Sequence, residues 1–352
     1  MRYLVTGGCG FIGSHYVRHL VQQGHEVVVV DRLDHAGAAD RLAMMTRLEV
    51  TPIEGGFDLK IANGAVKFVR HDLAAGINAH VDRAIGDVDI VCHMAAASHV
   101  DRSVVDPWCY LQDNVVATFQ LLQWVRTRPI KRFFHMSTDE VFGPAPDGVT
   151  FREHDAHNPN NPYAATKAAA EMLCPAWAST FDVPIVVVHC TNVIGSGQDP
   201  EKFVPLVAQR VMNGEMVQIH ADPQTMAPST RLYIHVSDVC DAFDTIIAKG
   251  GILGGNGAGR YNISGDVEWS NLEVAKTVAD LLGKDLRYEL VSFVPNRPKH
   301  DQRYSVSWKK LKALGWSPRV GLLDGLREAL GVPLSPEASQ LVFPEPSRVG
   351  SF

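Results

Sequence analysis

Three side chains in a row, Thr138, Asp139 and Glu140, follow Arg132-Phe133-Phe134-His135-Met136-Ser137, an apolar and aromatic stretch that predicts a buried strand. Two adjacent carboxyls at the exit of such a strand are costly to desolvate, so a purely structural role for Asp139 and Glu140 is the weaker reading. Beyond a loop rich in Pro, Gly and Asn, Tyr163 and Lys167 open a segment of high helix propensity. Residues four apart share one helix face, and an ammonium near a phenol lowers its pKa and favours the phenolate, a base for an alcohol proton. Tyr and Lys at this spacing also occur by chance, so the pair has weight only with the elements that position it.

Those elements start at once. Tyr3 to Thr6 reads as a short buried strand, followed by Gly7-Gly8-Cys9-Gly10-Phe11-Ile12-Gly13 and an apolar-periodic stretch from Tyr16 to Val21. Strand, glycine-rich turn and helix form a dinucleotide cradle: Gly7, Gly10 and Gly13 allow a tight turn and close backbone approach to a pyrophosphate, with Phe11 and Ile12 at the helix start. The next strand, Val27 to Val30, ends in Asp31, whose carboxylate suits ribose hydroxyls and repels a 2′-phosphate. NAD is therefore favoured over NADP, although Arg32 follows directly and points the other way. After a third strand, Val66 to Arg70, Asp72 could accept from an adenine amino group or simply cap a helix, beside Leu73. A fourth, Asp89 to Met94, runs into Ala95, Ala96 and Ala97, small enough to let a cofactor lie against the strand end. Asp106-Pro107 begins a long helix to about Arg126, within which Asn114 either positions the active-site helix or caps a kink.

Strands alternating with helices predict an α/β fold: a Rossmann-type doubly wound parallel sheet with a smaller, interleaved C-terminal substrate lobe. The boundaries read as 1–190 for the NAD-binding domain, with 232–262 returning to its sheet. Residues 191–231 and 263–330 form the lobe, and 331–352 an extended or disordered tail. The segment from Leu33 to Gly64 reads as irregular, with a possible helix from Asp40 to Leu48 and a turn at Glu54 to Gly56.

At 352 residues, with 46% hydrophobic and 20% charged residues, the chain has the composition of an ordinary globular protein. A net charge of −6 argues against general binding to nucleic acid or anionic membranes, and no apolar run is long enough to span a bilayer. Six scattered cysteines, no metal-ligand spacing and no signal-peptide layout ahead of the first strand predict a cytoplasmic protein without a metal.

Taken together, the chain resembles the extended short-chain dehydrogenases/reductases, and among them the nucleotide-sugar 4,6-dehydratases. The likeness runs from Met1 to about Leu330. It rests on the glycine-rich turn, Asp31-Arg32-Leu33, Ser98-His99-Val100-Asp101-Arg102-Ser103, Ser137-Thr138-Asp139-Glu140-Val141-Phe142-Gly143, Asn161-Pro162-Tyr163 with Lys167, Asn192, Pro200-Glu201-Lys202, and Arg297-Pro298 with His300-Asp301. The resemblance implies a hydro-lyase that oxidises C4 of a nucleotide-linked glucose with NAD, eliminates water across C5–C6 and returns the hydride to C6. By it Tyr163 takes the 4-hydroxyl proton, Thr138 bonds the same oxygen, Glu140 removes the C5 proton and a protonated Asp139 assists departure of the 6-hydroxyl.

It also implies substrate contacts at Ser98, Asn192, Glu201, Lys202, His220, Arg231, Arg297 and His300. The arginines are suited to a pyrophosphate, with surface ion pairing as their alternative and a solvated helix start as that of Glu201 and Lys202. A homodimer through a helical face is the remaining implication. Departures stand at Ala97, Asp34-His35, Gln218-Ile219-His220 with the long 221–230 loop, and Val267-Glu268. Thymidine is the first choice of base, then uridine, with cytidine and guanosine open. An NAD-dependent C4-epimerase is the alternative activity, and a dinucleotide-sensing scaffold without turnover the alternative class.

Overall fold

The computed structural model describes residues 1–34, 38, 41, 49–53, 56–61, 64–254, 258–292 and 301–334. Its centre is a sheet in the order β12-β8-β7-β6-β1-β2-β5-β4-β3. Seven of these strands are parallel: β1 (Arg2–Thr6), β2 (Glu26–Asp31), β5 (Gly64–Arg70), β6 (Ile90–His93), β7 (Arg132–Thr138), β8 (Ile185–Cys190) and β12 (Arg260–Ile263). From β1 the chain builds outward through β2 and β5 on one side and through β6, β7, β8 and β12 on the other. The direction of winding therefore reverses between β1 and β6, and a crevice opens at their C-terminal ends.

Parallel strands covered on both faces must be apolar at nearly every position, and β2 shows it. Val27 and Val29 pack with Tyr16, Val17 and Leu20 of the helix Phe11–Gln22 and with Val239, Phe243 and Ile246 of the helix Val236–Lys249. Val28 and Val30 face the other layer, with Leu121, Leu122 and Val125 of the helix Ala117–Val125 and Cys174 and Ala178 of the helix Pro162–Phe181.

The lobe has its own core of Val207, Val211, Val217, Ile219, Tyr233, Val274 and Val278. It is built from the helices Phe203–Met212 and Asn271–Leu281, a parallel pair of β10 (Val217–His220) with β14 (Tyr288–Val291), and a three-stranded sheet.

Three expectations need correction. Residues 230–235 do not return to the main sheet: β11 (Thr230–His235) pairs with β9 (Asn192–Ile194) and β13 (Glu268–Ser270). What returns is the helix Val236–Lys249 and β12. An apolar run identifies a strand but not its partner, hence the error. The stretch read as irregular contains β3 (Glu49–Ile53) and β4 (Gly56–Ile61), antiparallel to each other and β4 to β5; apart from Arg41, the possible 40–48 helix lies outside the described residues, as does most of the Glu54–Gly56 turn. The long helix from 107 to 126 is interrupted by a π-turn, Leu111–Val116, between Pro107–Tyr110 and Ala117–Val125. Of the tail, only 331–334 is described, and Arg297 and His300 fall outside.

Phe134, fully buried on β7, meets Phe243 edge-on with ring centroids 4.6 Å apart, joining the sheet to the Val236–Lys249 helix. Phe134→Ala is expected to cost about 3–5 kcal/mol, as for other buried aromatics, read as a lowered urea midpoint at unchanged m-value. A loss under about 1 kcal/mol would show that this contact does not hold the layer.

Candidate active site

The crevice at the winding reversal is a cleft of about 770 Å³. It is lined by Gly7, Gly10, Phe11, Ile12, Gly13, Asp31, Arg32, Asp72, Leu73, Ala95 and Ala96 at one end, and by Ser98, Thr138, Asp139, Glu140, Tyr163, Lys167, Asn192, Glu201 and Lys202 at the other. Asn114, Arg231 and His220 do not line it.

The glycine-rich turn is tighter than any side chain allows. Gly7 has φ +68°, and a Cβ there would lie 2.7 Å from Ala95; a Cβ on Gly13 would lie 2.1 Å from the Gly7 carbonyl. The turn therefore delivers the start of the Phe11–Gln22 helix to the cleft, where its N–H groups and positive dipole end suit a pyrophosphate. Asp31, at the end of β2, accepts from the Cys9 and Leu33 amides at 3.0 and 2.9 Å, which fixes its carboxylate beside the turn. Asp72 caps the short turn Leu73–Ala75, accepting from the Ala74 amide at 2.9 Å; here the capping role is the one the fold displays. The donor set, the bare backbone and the carboxylate at Asp31 fit an NAD molecule laid across the crevice.

Asn114 holds the cleft from behind. Its side chain accepts from the Ala97 amide at 2.9 Å and donates to the Ala97 carbonyl at 3.1 Å and to Thr166 Oγ1 at 2.9 Å. That ties the loop after β6 to the helix carrying Tyr163 and Lys167, so Asn114 positions the site without lining it. The π-turn turns this side chain inward, a distortion that a regular 3.6-residue periodicity does not signal.

Thr138 ends β7, and its hydroxyl accepts from the Glu140 amide at 3.3 Å, bending the chain into the turn Asp139–Phe142. Asn161 caps the next helix, its carbonyl oxygen accepting from Ala164 at 2.8 Å, while its amide donates to Glu140 Oε2 at 3.0 Å. The Tyr304 hydroxyl lies 3.2 Å from the same oxygen but gives its one proton to the shorter contact with Asp301, so the Asn161 amide is the donor that holds Glu140. Asp139 is buried, and its carboxyl is pushed up to about 7, by burial first and by the charge of Glu140 second, with Arg231 opposing. Asp139 is therefore still about half-protonated near neutrality.

The expectation for Tyr163 is corrected. Burial, and then the charge of Glu140, push its phenol up, opposed by a hydrogen bond from Thr138; Lys167 is not among the main influences. The Lys167 ammonium instead donates to the Met136 carbonyl at 2.6 Å, and burial pulls it down to about 8. In the protein alone, desolvation outweighs the helical Tyr-Lys proximity.

Other candidates fall on the rim or behind it. Lys202 donates to the Ser98 carbonyl at 2.9 Å, and Glu201 pairs with Arg102 and, at 3.5 Å, with His99. Both reach across the cleft and are not merely a solvated helix start. Arg231 is buried behind the acid pair, donating to the carbonyls of Thr230, Asp301 and Gln302 at 2.6, 2.8 and 3.1 Å and lying 4.6 Å from the centre of the Tyr304 ring. His220 ends β10 in the lobe.

The reading of the sequence missed Tyr304 and gave no role to two motif residues: Asp301, which accepts from Tyr304 and, at 2.7 Å, from Asn160, and Ser103, whose hydroxyl accepts from the Tyr163 amide at 3.1 Å. Tyr304 lies 164 positions from Glu140, beyond any local pattern. Among the described residues, His157, Glu171 and His189 have metal-ligating geometry. However, Glu171 already accepts from His189 at 2.9 Å and Arg260 at 3.1 Å, a pairing that balances its charge.

Fold and cleft together define a dinucleotide-dependent enzyme scaffold with an acid pair, one member of it buried, at the substrate end. A family model described as GDP-mannose 4,6 dehydratase matches residues 4–329. A dTDP-glucose 4,6-dehydratase of Streptomyces niveus is 37% identical over 337 residues, 94% of this chain and 92% of that protein. A dTDP-glucose 4,6-dehydratase of Streptomyces venezuelae, solved with NAD bound, superposes at TM-score 0.78 with 32% identity, covering 94% of this chain and 96% of that one. A UDP-glucose 4-epimerase of Thermus thermophilus with NAD does so at 0.79 with 30% identity, covering 94% and 98%. The chain belongs to the GDP-mannose 4,6-dehydratase family of nucleotide-sugar-modifying short-chain dehydrogenases.

The raised Asp139 has a measurable consequence. A solvated aspartate loses its proton near 3.8, whereas here it is kept to about 7, so the group adds stability as pH falls from about 7 towards 4 and detracts above that window. Asp139→Asn, neutral at every pH, is expected to raise Tm at pH 8 and to lose that advantage by pH 4. An equal effect at both values, in unfolding followed by circular dichroism, would contradict a neutralised carboxyl.

Proposed function

We propose that this protein is an NAD-dependent nucleotide-sugar 4,6-dehydratase, converting an NDP-glucose to the NDP-4-keto-6-deoxy sugar, with dTDP-glucose the first candidate substrate and UDP-, CDP- and GDP-hexoses behind it. The observation that carries the reading is the acid pair: Asp139 raised to about 7 next to a Glu140 held by the Asn161 amide, in the same cleft as Tyr163.

NAD, when bound, supplies a hydride acceptor and then a donor. Tyr163 takes the proton of the sugar 4-hydroxyl, with Thr138 on the same oxygen and Lys167 as the neighbouring cation. A ketone at C4 acidifies the C5 hydrogen, which Glu140 removes while protonated Asp139 gives its proton to the departing 6-hydroxyl. Carboxyls of opposite protonation suit this step and have no part in an epimerase cycle, which keeps the 6-hydroxyl. Ser98, Asn192, Glu201 and Lys202 lie where they can hold the sugar and diphosphate; Arg297 and His300, and through the lobe Arg231 and His220, complete the proposed substrate set.

Incubation with dTDP-, UDP-, CDP- and GDP-glucose, with mass spectrometry for loss of one water, tests the assignment. Glu140→Gln is expected to cut 6-deoxy product formation by at least about 10²-fold while still oxidising C4. Undiminished dehydration by that variant, or C4 inversion without water loss by the parent, would favour the epimerase.

The homodimer and a cytoplasmic setting are further parts of this proposal. Phe119, Met172 and Phe181 are exposed on the helices Ala117–Val125 and Pro162–Phe181, with Trp177 edge-on to Phe119 at 5.6 Å, an apolar face of the kind a second copy covers. Light scattering is expected to give twice the chain mass, and Phe119→Glu with Met172→Glu the single mass; a monomeric parent would end this part of the proposal. Free cysteines suit the cytoplasm, and among the described residues no helix is long and apolar enough to cross a membrane.

A further inference from the structure

Arg32 stands one residue beyond Asp31, lines the adenosine end of the cleft, and has the planar fork that ordinarily receives the 2′-phosphate of NADP. Its fork is already filled. NH1 and NH2 donate to Asp113 Oδ1 and Oδ2 at 2.6 Å each, and Nε donates to Asp34 at 2.6 Å. Asp113 is buried in the π-turn, where Cys109 Sγ also donates to it at 3.4 Å. Asp72 lies 4.0 Å from NH1. Around this end of the cleft Asp31, Asp34, Asp72 and Asp113 face two guanidiniums, those of Arg32 and Arg41, the latter directed at the Cys9 carbonyl at 3.3 Å.

We infer that Asp113 determines cofactor choice by withholding Arg32 from a 2′-phosphate. The bidentate pair sets the guanidinium plane against the helix side of the cleft and cancels its charge. A phosphate entering here meets an arginine already paired with two carboxylates, those of Asp113 and Asp34, beside the Asp31 carboxylate. Asp113 acts through Arg32, so it is a positioning residue, and its effect falls on the ratio of two affinities instead of on turnover. This rests on the dinucleotide cradle alone and stands whichever nucleotide sugar the enzyme takes.

The test is a binding measurement on the full chain. Kd for NAD⁺ and NADP⁺ is measured by calorimetry on the protein stripped of nucleotide, for the parent, Asp113→Asn, Arg32→Ala and the double variant, with thermal unfolding to confirm each is folded. Freeing one charge-assisted contact is expected to shift the NADP⁺/NAD⁺ preference of Asp113→Asn towards NADP⁺ by about tenfold or more, and addition of Arg32→Ala to abolish the gain. Asp113→Ser replaces the Asn variant if that one does not fold. An unchanged ratio in Asp113→Asn overturns the inference. So does a gain that persists in the double variant, since Arg41 would then be the phosphate ligand.

Discussion

The organising constraint of this site is the burial of one carboxyl beside another. Water would let Asp139 and Glu140 ionise together; the end of β7 removes that solvent from Asp139 and leaves Glu140 with the Asn161 amide as donor. Everything nearby serves that division. Thr138 bends the backbone so that consecutive residues point into one cleft, and the Asn161 cap starts the Tyr163 helix and holds Glu140 with the two ends of a single amide. A carboxyl still half-protonated near pH 7 can give a proton to a leaving group, so the arrangement suits elimination chemistry.

The same burial explains why Tyr163 and Lys167 look unlike a ready phenolate-ammonium pair. A dry pocket raises an acid and lowers an amine together, and both move in those directions. Both groups line the one cleft that holds the glycine-rich turn and the acid pair, where charge brought by a ligand would act on them.

Much of this was legible in the chain. The glycine-rich turn, the valine run to Asp31, the acid pair and the Tyr163 helix are local signals, each a short stretch whose composition dictates its conformation, and all of them fall in the cleft. What was not legible depends on partners far away. The apolar run of β11 is a strand wherever it pairs, and only the fold shows that β9 and β13 receive it. Tyr304 comes up to Glu140 from the far end of the chain, and the pairing of Arg32 with Asp113 spans 81 positions. The antiparallel strands β3 and β4 lie in a stretch whose composition suggested no regular structure.

The π-turn at Leu111–Val116 makes two neighbours in sequence serve opposite ends of the cleft: Asp113 meets the arginine at the adenosine mouth, and Asn114 ties the loop after β6 to the helix that carries Tyr163. A widened turn is one residue longer than the helix around it. Trimming it back to ordinary winding would rotate both side chains off their targets at once, so an apparent flaw in the helix is what lets a single backbone segment keep the two ends of the cleft in step.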